Sequence, residues 1–125
     1  MSIRTPLARA RGLGSAKDGV AHWWAQRITA VALVPLTLWL VVSIAARAGA
    51  GHEAVLAWLS SPVAAVAVVL FLGTLFYHSQ LGLQVVVEDY VHSEWLKLAT
   101  LVVLQFAHIV VAAAAIFAVL WMALT

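Results

Sequence analysis

The chain has 125 residues, 65% of them hydrophobic and only 10% charged, with a formal net charge of +2 and no cysteine. Soluble domains are about half apolar and about a quarter charged, so a water-soluble enzyme with an ordinary core is excluded. Without cysteine this chain supplies no disulfide, no thiolate zinc site and no iron–sulfur ligand. Its weak positive charge, gathered mostly at one end, does not make a nucleic-acid-binding surface.

Residues 1–19 form a basic polar tail containing Arg4, Arg9, Arg11 and Lys17. It reads as a solvated cytoplasmic segment that touches anionic lipid or a partner. The rest of the chain, 20–125, reads as one membrane domain. Arg27 and Arg47 bracket 19 uncharged residues, close to the roughly 20 apolar residues that cross a bilayer. The first span is predicted at about 22–46, with Pro35 kinking it, because proline removes one backbone hydrogen bond. A cleaved signal peptide is the competing reading of this segment. The tail is long for one, the run exceeds the usual 7–15 residues of a leader, and further spans follow.

Glu53 and Glu88 bracket 34 uncharged residues, too many for one simple span, and Ser60-Ser61-Pro62 divides them. Serine followed by proline is a helix-start signal. The second span is therefore predicted at about 61–88, with a short interfacial piece over Glu53 to Leu59 before it. The last 28 residues, after Lys97, carry no charge. The third span is predicted at about 94–124, with Ser93 as N-cap and Glu94 in the first turn.

The fold class that follows is an all-α membrane protein with three transmembrane helices. Most basic residues precede or open the first span, so the positive-inside rule places the N-terminus in the cytoplasm and the C-terminus outside. Trp23, Trp24 and Trp95 then fall at the inner interface and Trp58 and Trp121 at the outer one, where indole rings prefer to lie.

Polar residues at membrane depth are costly and mark functional sites. His78 lies ten residues before Glu88, roughly 15 Å below the inner boundary. A neutral imidazole there suits an axial bond to haem iron, or a hydrogen bond to a neighbouring helix. Gly82, one turn on, lets a flat macrocycle or another helix approach closely. Asp89 lies within roughly 20° of the direction of His78 around the helix. Tyr90 follows it with a phenol that can donate a hydrogen bond, and both residues also suit a plain solvated helix end. His108, a turn after Gln105, is either a second iron ligand or a hydrogen bond to another helix. His22 and Arg27 open the first span. Arg27 can pair with a carboxylate of a cofactor or extend to lipid phosphate. His52 and His92 read as exposed loop residues.

The run His78-Ser79-Gln80-Leu81-Gly82, continued by Val85-Val86-Val87-Glu88-Asp89-Tyr90-Val91-His92, resembles the hydrophobic membrane anchor subunit of succinate dehydrogenase. That family's pattern is a histidine, a glycine four residues on and an Asp-Tyr pair eleven and twelve residues on. Gly19-Val20-Ala21-His22 through Arg27 looks like the family's opening of helix 1. The resemblance covers nearly the whole chain in span number, order and orientation, though its specific part is about 15 residues. It implies that His78 is an axial ligand of haem b, shared with a histidine of a second, cytochrome b556-type anchor subunit. It implies that Tyr90 hydrogen-bonds ubiquinone, that Asp89 supports that site and that Arg27 lies near the haem propionates or the quinone pocket. It assigns nothing to His108.

Partners implied in this way are the second hydrophobic anchor, which bundles with the three helices in a bacterial inner membrane or its mitochondrial counterpart, and a soluble iron–sulfur subunit and flavoprotein subunit. Succinate oxidation falls to the soluble subunits, and this chain serves the enzyme as a non-flavin subunit that passes electrons to quinone. Two other readings remain open at this point: a haem-free scaffold that recruits soluble subunits, and a self-contained cytochrome ligated by His78 and His108.

Overall fold

A computed structural model describes residues 15–125, with side chains from Gly19 onward. The tail expected at 1–19 therefore lies largely outside the described residues. Four helices account for the rest: α1 Ser15–Ala46, α2 His52–Leu59, α3 Pro62–Tyr90 and α4 Glu94–Leu124. Among the described residues there is no strand.

Helices α1, α3 and α4 are the three spans, with apolar stretches of 28, 29 and 31 residues. At about 1.5 Å per residue each exceeds 40 Å, enough for the hydrocarbon core and both headgroup layers. In lipid every backbone N–H and C=O must be satisfied within the chain, which long uninterrupted helices achieve.

Helix α1 begins seven residues before the expected 22. Hydrophobicity marks where the membrane starts, not where a helix must start, and no positive-φ glycine interrupts Gly19. The helix continues through Pro35, which is exposed. After Ala46, Gly49 and Gly51 take φ values of 80° and 93°, conformations open to glycine. Arg47 caps the helix end by donating to the Ser43 carbonyl at 2.8 Å.

The short piece expected before the second span is helix α2, which packs against α3 and α4. Ser61 precedes Pro62 as the N-cap of α3, although its hydroxyl makes no capping bond. Ser93 does cap α4, accepting from the Leu96 amide at 3.5 Å.

Packing places α3 in the centre. Both α1 and α4 pack against it, and among the described residues the backbones of α1 and α4 do not approach each other closely. The seam side of α1 follows a four–three spacing: His22, Gln26, Thr29, Leu33, Leu36 and Leu40 are all at least half-buried. That spacing keeps one face toward a slightly supercoiled neighbour. The face is polar at its inner end and aliphatic at its outer end. Small residues of α3, Ala64 and Ala65, are buried where helices approach closely.

The apolar core sits at the outer end, around Leu59, Val68 and Val119, with Trp39, Trp58 and Met122 against it. Trp58 thus packs inward, its ring 5.7 Å from Trp39 and under the Arg47 guanidinium at 4.7 Å. It was expected at the lipid interface, and the packing of α2 is what turns it in. Trp23, Trp24, Trp95 and Trp121 are exposed near the helix ends, as interfacial rings should be. Among the described residues no large side chain is fully buried, and large apolar residues are exposed along all three spans. Such a surface needs lipid or protein around it.

Candidate functional site

His78 lies half-buried in the α1–α3 seam, twelve residues before the end of α3. Its Nδ1 is 2.8 Å from the Thr29 hydroxyl oxygen, and its Nε2 is 3.5 Å from the Gln26 amide nitrogen. Thr29 Oγ1 is also 2.7 Å from the Ala25 carbonyl and 3.0 Å from that of Gln26.

A hydroxyl has one hydrogen, and a carbonyl only accepts. With that hydrogen on its own helix backbone, Thr29 Oγ1 accepts from His78 Nδ1–H, the tautomer that leaves a lone pair on Nε2. Gln26 Nε2–H donates to it across a distance at the outer limit of a hydrogen bond.

Thr29 is 9% exposed and is the buried polar residue among those described. On the same face of α1, His22 Nε2 and Gln26 Oε1 are buried without a partner. Orphaned polar atoms of this kind mark a place where water or a bound group completes the bonding. Among the described residues no three His, Asp or Glu side chains converge, so the chain builds no closed metal cage. A lone imidazole whose Nε2 has only the long 3.5 Å contact to Gln26, beside orphaned polar atoms, fits a place on a flat iron macrocycle if Gln26 gives way.

Gly82 also faces this seam. A Cβ added there would meet only Gln26 Nε2, at 3.8 Å. Packing of the two helices alone therefore does not require glycine.

Asp89 and Tyr90 end α3 and are both exposed, Tyr90 by 78%. Neither is enclosed by this chain. Glu88, beside them, accepts a hydrogen bond from Gln84 at 3.1 Å. Arg27 is exposed as well, its guanidinium 5.3 Å over the Trp23 ring. It neighbours Gln26 in sequence but leaves the helix on another face, away from the bonds of His78.

His108 serves the other seam. Its Nδ1–H donates to the Leu104 carbonyl at 2.8 Å, and its Nε2 accepts from Ser79 Oγ at 3.1 Å. Phe76 meets the ring edge-on at 6.2 Å. Both nitrogens are committed, which leaves none for a metal. Nearby, Gln80, Gln84 and Gln105 with Leu101 and Leu104 line a cavity of about 160 Å³.

Residues 1–123 match the model of the succinate dehydrogenase/fumarate reductase transmembrane subunit. The chain belongs to this family. It is 33% identical over 119 residues to the succinate dehydrogenase hydrophobic membrane anchor subunit of Rickettsia bellii, covering 95% of each chain. The corresponding anchor subunit of Paracoccus denitrificans is 34% identical over 114 residues, or 91% of this chain and 88% of that one. The succinate dehydrogenase membrane anchor subunit of Reclinomonas americana is 29% identical over 92 residues.

In this transmembrane subunit the expected residues fall into two groups. His78 and Gly82 meet α1 in a polar seam, while Arg27, Asp89 and Tyr90 point outward from the single chain. Sequence reasoning singled out ionisable residues and passed over Gln26 and Thr29. Their signal was present: with His22 they recur at four-residue and three-residue steps on one helical face.

Proposed function

We propose that this chain is the small membrane anchor of a succinate:quinone oxidoreductase, with His78 as one axial ligand of a haem b. The observation that carries the reading is a half-buried imidazole in an apolar span whose Nε2 is held only by a long contact, beside orphaned polar atoms, in a chain of this family. The haem, when bound, supplies a one-electron carrier whose potential depends on its axial ligands and burial.

The chain's own residues do the rest. Helix α3 holds the imidazole at fixed depth and direction, and Gly82 keeps the adjoining face free of a side chain. Tyr90 and Asp89 stand one end of the helix away, near the inner surface. There the phenol donates a hydrogen bond to a ubiquinone carbonyl oxygen, and the carboxylate supports that pocket. Quinone reduction takes up protons as well as electrons, and a site at the membrane surface has water at hand. Arg27, at the same level, pairs with anionic groups of the haem or quinone pocket.

The exposed faces of the three spans call for a second anchor subunit, which supplies the other axial histidine and encloses Tyr90. An iron–sulfur subunit and a flavoprotein carry out succinate oxidation, since this chain has no cysteine for cluster ligation. The excess of basic residues at the N-terminal end supports a cytoplasmic N-terminus, and the bacterial relatives support a bacterial inner membrane.

A haem-free anchor is the second reading, and one fact favours it: both ring nitrogens of His78 have neighbours in α1. A reduced-minus-oxidised spectrum of the purified complex separates the two. The expected result is a b-type α-band that disappears in His78→Ala while all subunits still co-purify. A complex with no such band in the unaltered protein overturns the reading.

A further inference from the structure

We infer that Thr29 is the positioning residue that fixes the ring tautomer and direction of His78, and so tunes the haem bound there. The inference rests on the reading of His78 as an axial ligand and adds a residue to it.

The geometry of Thr29 suits it to one role toward the ring. With its hydroxyl hydrogen on a backbone carbonyl, at 2.7 or 3.0 Å, its oxygen accepts from His78 Nδ1, at 2.8 Å. The acceptor lies on another helix, 49 positions from the ring, and is itself buried. In that arrangement the proton sits on Nδ1, the lone pair on Nε2, and the Thr29 contact fixes the ring plane.

Metal-bound imidazoles commonly donate their second N–H in this way, which makes the coordinating nitrogen more basic and fixes its aim. Gln26 does not duplicate the role. It contacts Nε2 rather than Nδ1, at 3.5 Å, and must yield that position to any ligand of Nε2.

The test uses the whole complex with Thr29→Val, Thr29→Ala and Thr29→Ser, alongside His78→Ala. Three quantities are read: haem per assembled complex after detergent washing, the reduced-minus-oxidised spectrum, and the haem midpoint potential. Thr29→Val and Thr29→Ala remove the acceptor, and each should weaken haem retention by about 10-fold or more. The potential should move upward in both, because a less basic imidazole favours ferrous iron. Thr29→Ser keeps the oxygen and should restore both properties. A helix-packing role alone would not produce rescue by serine together with a directional change in potential.

Wild-type retention and potential in both Thr29→Val and Thr29→Ala, with the haem lost in His78→Ala, would overturn this inference and leave the axial-ligand reading standing. Retention of haem by His78→Ala would overturn the axial-ligand reading itself. If Thr29→Val does not assemble, Thr29→Ala against Thr29→Ser decides the matter by the same measurements.

Discussion

Ser79 Oγ gives its hydrogen to His108 Nε2 across the α3–α4 seam at 3.1 Å. Its neighbour His78 turns into the opposite seam, toward α1. Adjacent residues on a helix lie about 100° apart, and α3, packed on two sides, uses that angle to serve two polar contacts at similar depth.

The Ser79–His108 bond is structural, and its loss should cost stability without cost to the haem. Hydrogen bonds between membrane helices average about 0.6 kcal/mol, because the separated helices also find partners. Ser79→Ala should thus lower the thermal midpoint of the complex only slightly. His108→Leu should do the same and leave the b-type spectrum in place. Loss of the α-band in an assembled His108→Leu complex would restore the self-contained di-histidine cytochrome that the present geometry disfavours.

How much of this was legible in the sequence depends on the kind of signal. The spans were plain because charge is nearly forbidden in hydrocarbon, so long uncharged runs delimit them. The starts of α3 and α4 were plain because Ser61-Pro62 and Ser93-Glu94 carry local helix-start chemistry. The start of α1 was not, since Ser15, Lys17 and Asp18 are polar residues that neither break a helix nor belong in lipid. The α1 face opposite His78 was missed because hydroxyl and carboxamide groups cost less in a membrane than charges do, so Thr29 and Gln26 drew no notice beside Arg27. Which way Arg27 turns is settled by Trp23 beneath it, a contact one helical turn cannot announce.

Gly51 offers a check on the outer end. With φ 93° and ψ 170° it occupies a region essentially restricted to glycine, and it stands at the N-cap of α2. Gly51→Ala should destabilise the turn into α2 by about 1–3 kcal/mol, the usual cost of such a conformation for another residue. Because α2 carries Trp58 and Leu59 into the outer core, the loss should appear as faster proteolysis of the 47–51 turn and a lower thermal midpoint. Unchanged values would mean that the turn adopts another backbone in the bilayer.

Tyr90 tests the quinone assignment separately from the haem. The phenol is exposed among the described residues, so replacing it with phenylalanine removes one hydroxyl and little packing. If that hydroxyl donates to a quinone oxygen as negative charge builds on it, its removal forfeits a charge-assisted bond of about 1.5–3 kcal/mol. Quinone reduction by Tyr90→Phe should accordingly fall about 10-fold or more, since about 1.4 kcal/mol is tenfold in rate. Succinate oxidation with a water-soluble artificial acceptor should continue, because electrons then leave before reaching the membrane. The haem spectrum should also persist, as His78 lies twelve residues away along α3. Parallel loss of both activities would place the defect in assembly of the soluble subunits instead, and Tyr90 would then be an interface residue of the complex rather than a donor to its quinone.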